Sequence, residues 1–284
     1  MLLSRRFGRL AAALLLSLVV ALAHASLPHD ASVPGGIAVV TLAPFQGAAA
    51  PKAWFNDREV LVTARDGHWT ALVGLPLSTQ LGTHVVRAGP RKQGAREFKF
   101  TVTGKSYPEQ RITLKDKSKV ELSAPDLARV KREQVEINRH KNHWRASNEV
   151  DLDFEAPVEA PLSSRFGLRR FFNDQPRSPH SGLDFAAPTG TPVLAPSAGR
   201  VVGIGDYFFT GNAVYLDHGN GLISLYAHLD RVDVQPGDVV RRGDPLGTVG
   251  KTGRATGPHL HWSIFMNGAA VDPELFLPLK TTRR

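Results

Sequence analysis

Short runs in which apolar and polar residues alternate follow one another through most of this chain. In residues 32–103 they read GIAVVTL, REVLVTAR, HWTALVG, THVVRAG and REFKFTV, separated by turn chemistry such as Pro34-Gly35-Gly36, Asp66-Gly67 and Gly89-Pro90. A period of two sends successive side chains to opposite faces of a strand, and Gly, Pro and Asp supply the backbone conformations that end strands. Short strands at this spacing predict a small antiparallel β-sandwich, roughly Ig-like, over residues 26–104. Residues 105–157 change character. SAPDLARVKREQVEINRHKNHW predicts a connecting helix in which Leu127, Val130, Val135 and Ile137 are partly periodic, with Ser123 or Asp126 as cap and Pro125 in the first turn. The acidic, Pro-containing DLDFEAPVEAP then reads as a linker. From residue 158 to 284 the β-runs resume as PVLAPSAGRVVGIG, NAVYLDHG, ISLYAHL, DVVRRGDPLGTVG and HLHWSIFMNG. They predict an antiparallel sheet whose loops wall a groove, so the chain as a whole is mainly β.

Residues 1–25 break the pattern. Arg5, Arg6 and Arg9 precede an apolar run from Leu10 to Leu22 and then Ala23-His24-Ala25, the order of a secretory signal peptide cleaved after Ala25. The run is short for a bilayer span, and no later stretch is apolar enough to make one. Cleavage would leave about 260 residues, enough for two modest domains each with its own core. The formal charge of +9 would lose those three arginines and become +6, which suits a protein drawn to anionic envelope polymers. No nucleic-acid motif accompanies the charge. With no cysteine there is neither a disulfide framework nor a lipid-attachment site, so the fold must rest on its cores and on any metal it binds.

The candidate chemistry lies in residues 164–264. His180 and Asp184 stand in SPHSGLDFAAP, His228 in LYAHLD, and His259 and His261 in TGPHLHWSI. Strand alternation puts the two imidazoles of the H-x-H on one face, where both can serve one site. Imidazole and carboxylate are zinc ligands, and a catalytic zinc takes three protein ligands; two His and one Asp fill that number and leave two His for acid/base work. His140 and His143 are also spaced to share a metal but lack a third ligand nearby, and read as part of an exposed basic face. PVLAPSAGRVV and VQPGDVVRRGDPLG look like a biotin- or lipoate-carrying hybrid, but no hairpin lysine of the required kind lies between them.

The ordered set SRFGLR, H-x-x-x-D, GN-x-V-x-L-x-H-G-x-G, Y-x-H-L, PGDVVRRGDPLGTVG and TGPHLHW resembles the lysostaphin/LytM-type zinc endopeptidases of bacterial cell walls, over about residues 161–277. AWFNDREVLVT and ALVGLPLSTQLGTHVVRAG resemble the N-terminal domain that precedes the peptidase in some proteobacterial members. The resemblance implies one zinc per chain held by His180, Asp184 and His261, with His228 and His259 as the catalytic pair. Asn212, Tyr226 and His218 occupy motif positions too. Asn212 and His218 border turns and read as structural, although Asn212 together with Tyr226, two before His228, stays a candidate for the groove wall.

The function so implied is hydrolysis of peptide cross-links in peptidoglycan by an exported zinc metallo-endopeptidase, in a Gram-negative periplasm and at the D-Ala to diaminopimelate bridge. The alternative is a non-catalytic regulator of other wall hydrolases, which the complete set of five residues disfavours. No partner other than peptidoglycan is implied, save an envelope protein docking on the N-terminal domain. Part of residues 26–157 is expected to shield the metal in a resting form.

Overall fold

The computed structural model describes residues 28–44, 49–90, 94–113 and 122–278; the signal-peptide reading of residues 1–25 lies outside them. Among the described residues no helix is long and apolar enough to cross a membrane.

The N-terminal module has six antiparallel strands: β1 (Ile37–Pro44), β2 (Ala53–Phe55), β3 (Arg58–Arg65), β4 (His68–Gly74), β5 (Gly82–Ala88) and β6 (Arg96–Val102), in the order β1-β4-β3-β2-β5-β6. Strand β3 turns the corner. Its first residues pair with β2 (Val60 with Ala53) and its remainder with β4 (Leu61 with Leu72), so one continuous sheet folds into two layers. Val40, Phe55, Val73, Leu75, Val86 and Val102 fill the space between.

β7 (Glu109–Ile112) leaves this module and pairs in parallel with β9 (Arg169–Phe172), which also pairs with β10 (Gln175–Pro176). Helix α1 (Ala124–Lys141) starts at Ser123, whose hydroxyl accepts from the Asp126 amide, and Pro125 sits in the first turn where a missing N–H costs nothing. The periodicity of α1 misleads in part: Leu127 and Val135 are exposed, whereas His140, expected on an exposed face, is buried. The His140 ring stacks on Tyr215 with centroids 4.9 Å apart. Gly203 makes the contact possible, since a Cβ there would come within 2.4 Å of the imidazole. The expected linker is packed as well. Phe154 and Val158 are buried in the C-terminal core, and Arg242 donates to Asp151 at 2.6 Å.

The C-terminal sheet runs β16 (Val239–Val240), β13 (Gly199–Tyr207), β14 (Gly211–Gly219), β15 (Leu222–Val232), β18 (Leu260–Met266), β11 (Leu183–Phe185), β8 (Leu162–Ser164). β17 (Pro245–Val249) joins β12 (Pro192–Leu194) to β15, and β19 (Ala269–Val271) extends β18. Tyr226, Trp262, Ile264 and Met266 point from β15 and β18 into the main core. Ala227 and Phe265 point the other way, with Tyr207 and Tyr215, onto the face where Ile137 of α1 packs. Ile37, Leu61 and Leu72 of the N-terminal module belong to the same core as Trp262 and Met266. The Asn267 side chain completes the junction, accepting from the Gly74 amide at 2.8 Å and donating to the Gly74 carbonyl at 3.1 Å.

Candidate metal centre

His261 lies on β18 opposite Asp184 of β11 in antiparallel register, and the sheet therefore fixes the distance between their side chains. Asp184 Oδ1 is 2.9 Å from His261 Nδ1 and 2.9 Å from His180 Nε2, and the two nitrogens are 3.0 Å apart. His180 comes from the loop before β11, tied to the turn between β8 and β9 by its own amide and carbonyl, which bond Leu168 O and the Gly167 amide. Gly182 lets this loop pass over β18; a Cβ there would lie 2.2 Å from the Trp262 carbonyl oxygen. All three side chains are buried.

The tautomers follow from the outer contacts, because a carbonyl oxygen only accepts. His180 Nδ1 faces Arg165 O at 2.9 Å, so it carries the proton and Nε2 is a bare lone pair. His261 Nε2 meets the Ser263 hydroxyl at 2.8 Å, and with that hydroxyl accepting, Nδ1 faces inward as a bare lone pair. Burial pushes the His261 imidazole below its ordinary value, so the ring is neutral at pH 7. Three acceptors, two nitrogens and one carboxylate oxygen, thus converge with no donor between them. Burial would raise the Asp184 carboxyl, but protons on the His180 and His261 nitrogens that face it would more than reverse this, through hydrogen bonds first and charge second, and hold it well below the usual carboxylate range. A cation meets the same need for positive charge, and the donor set, with outer hydrogen bonds orienting each imidazole, fits a metal.

His228 and His259 stand at the rim of this triad, ring centroids 4.6 Å apart. His228 reaches it through a bulge: Asn212 pairs with Leu229 and Val214 with Tyr226, so Ala227 and His228 together oppose Ala213. His228 takes φ +62°, a conformation unfavourable for a side chain bearing Cβ, and its amide bonds Thr210 O. The bulge turns the imidazole to the groove side, where its centroid is 6.1 Å from that of His261. Nδ1 of His228 donates to Thr252 O and Nδ1 of His259 to Gly257 O, each at 2.9 Å, so both present a bare Nε2. Burial pushes His228 down to about 4, which keeps it neutral at pH 7. His259 Nε2 is 3.9 Å from Asp184 Oδ1, against 2.9 Å for His261 Nδ1.

Two candidates for the groove wall are elsewhere. Tyr226 is wholly buried on the opposite face beside Trp262, its hydroxyl 2.8 Å from Ser224, because the bulge between Tyr226 and His228 breaks the parity that would have put them together. Asn212 braces backbone, donating to Leu229 O at 3.1 Å while its amide bonds the Thr252 hydroxyl. His218 is structural, between Ala198 O and Ser224. Reading the sequence did not find Arg170, whose guanidinium donates to Ser164 Oγ at 3.1 Å and lies 3.7 Å from Asp184 Oδ2, the oxygen turned away from the triad. Its adjacency to the SRFGLR motif is the one signal it carries.

Peptidase family M23 matches residues 178–273, which contain all five side chains, and the family's N-terminal domain matches residues 30–105. A crystal structure of a Pseudomonas aeruginosa protein assigned to peptidase M23 shares 40% identity and a TM-score of 0.72, covering 88% of this chain and 96% of that one. The chain belongs to peptidase family M23, a family of metallopeptidases. Among curated relatives, peptidoglycan DD-endopeptidase ShyA of Vibrio cholerae is 42% identical over 119 residues, or 41% of this chain. DD-carboxypeptidase/endopeptidase Mpg of Neisseria meningitidis is 43% identical over 122 residues, or 43% of this chain. Each match covers 28% of the relative's own length.

Proposed function

We propose that this metallopeptidase is exported, binds one zinc ion at His180, Asp184 and His261, and hydrolyses peptide cross-links of peptidoglycan at the D-Ala to diaminopimelate bond. The observation that carries the reading is the convergence of three buried acceptor atoms beside two histidines with inward-facing Nε2. Relatives named for peptidoglycan DD-endopeptidase activity supply the substrate class. Zinc and imidazole suit each other, and zinc when bound polarises a carbonyl and lowers the pKa of water toward neutrality.

The chain's own groups do the rest. Backbone carbonyls hold the Nδ1 proton of His228 and of His259, so each offers a bare Nε2; one takes the proton from the attacking water there and, so protonated, returns it to the leaving amine, while the other steadies the carbonyl oxygen once its own Nε2 carries a proton. Arg170 holds the outer oxygen of Asp184 so that the inner one keeps its aim. Activity on a wall polymer fits a periplasmic protein whose N-terminal module could dock an envelope partner.

Purified sacculi incubated with the protein should release new amino groups, lose that reaction to a chelator and regain it with zinc. Mass spectrometry of the muropeptides should show cleavage between D-Ala and diaminopimelate. Zinc-free protein that cleaves nothing would favour the regulator, and cleavage confined to oligoglycine would overturn the choice of bond.

A further inference from the structure

Three arginines flank the metal centre from two sides. Arg170 and Arg177 belong to the hairpin of β9 and β10, where the Arg177 amide bonds Arg170 O at 2.9 Å, and Arg170 reaches Asp184 as described. Arg254 approaches from the loop of residues 251–258. Its amide donates to Phe209 O at 3.0 Å, and its guanidinium carbon lies 4.3 Å over the Phe209 ring. The same loop supplies Thr252 O to His228, and Gly253 presses on the Gly211 backbone so closely that a Cβ would come within 2.3 Å of the Gly211 nitrogen. Arg254 is therefore fastened beside the catalytic pair.

Charge matching separates Arg254 from the other arginines here: Arg170 lies 3.7 Å from Asp184 Oδ2, and Arg177 donates to Gln175 Oε1 at 3.0 Å. Arg169 pairs with Glu109 at 2.8 Å and Arg111 with Asp174 at 3.2 Å. Arg254 has no carboxylate at ion-pair distance among the described residues. Burial pushes its guanidinium down from its ordinary value, and the charges of Arg177 and Arg170 add to that push. A stacked guanidinium with its hydrogen-bonding fork still available, facing like charges across a peptidase groove, is arranged for an anion.

We propose that Arg254 anchors a carboxylate-binding subsite at the edge of the metal centre that takes a free side-chain or terminal carboxylate of the peptide substrate. The subsite rests on the peptidase reading above and adds to it the charge of the group recognised. Its grip is bidentate and pre-ordered by Phe209, so loss of the guanidinium should lower affinity rather than turnover.

The test is calorimetric binding of two uncleavable stem tetrapeptides, one with free carboxylates and one with those carboxylates amidated, to the full-length protein. The wild type should bind the free acid about tenfold or more tightly than the amide. Arg254→Gln should erase that preference while leaving amide binding and metal content unchanged, and Arg254→Lys should restore part of it. Undiminished preference in Arg254→Gln, or no preference in the wild type, overturns the subsite. A wild type that binds with the expected preference yet cleaves no cross-linked muropeptide would instead defeat the peptidase reading and leave the subsite standing.

Discussion

His261 Nδ1 and Asp184 Oδ1 stand 2.9 Å apart across 77 residues of sequence, because β11 and β18 pair Asp184 directly with His261. The sheet thus positions two of the three candidate ligands, and the loop bearing His180 needs only to fold over it.

That rigidity bears on the N-terminal module. It meets the peptidase sheet at β4, β18 and β19, around Met266 and Asn267, the end of β18 farthest from His261 and about 15 Å or more away by strand rise. Ile37, Leu61 and Leu72 share the peptidase core, and β7 is hydrogen-bonded to β9. These contacts favour a buttress over the expected shield, and truncation decides between them. A chain starting at Asp151 should be less stable by about 5 kcal/mol, or about 10 °C or more in Tm, and no more active on sacculi than the mature protein. Equal stability with higher activity would restore the shield.

His218 should make stability fall in acid. Burial pushes it down to about 4 from an ordinary 6.5, so between those values the unfolded chain takes up a proton that the folded chain refuses. Stability from this group is complete above about pH 6.5, declines as pH falls, and levels off below about pH 4, a loss on the order of 3 kcal/mol. Thermal melts of chelated protein should show the slope, and His218→Gln, though less stable at pH 7, should flatten it. An unchanged slope in the variant would assign the acid sensitivity elsewhere.

Much of the site was legible because ligand spacing and strand parity are local properties of sequence. His259 and His261 two apart, and His180 and Asp184 four apart, mark side chains that the structure brings together. The bulge at His228 was not legible, since nothing in LYAHLD marks a positive φ, and so Tyr226 was assigned to the wrong face. Nor was the fit of α1, where a histidine packs against a glycine and the apolar Val135 stays in solvent. The common core of the two modules depends on contacts such as Leu72 with the main-sheet residues, which no local pattern encodes.

His228→Ala should lower kcat on the order of 10²-fold or more while leaving KM within a few-fold, because the imidazole acts on protons and not on ground-state binding. Steady-state kinetics on a soluble cross-linked muropeptide measure both constants. A rise in KM at unchanged kcat would make His228 a substrate-binding residue.

The division of labour within the H-x-H pair is the claim on which the whole assignment turns, and zinc stoichiometry of two variants tests it most directly. His261→Ala removes a donor atom 2.9 Å from Asp184 Oδ1 and should lose zinc and thermal stability together, whereas His259→Ala removes one 3.9 Å away. The account predicts about one zinc per chain in His259→Ala and almost none in His261→Ala. Zinc lost as readily from His259→Ala as from His261→Ala would contradict it.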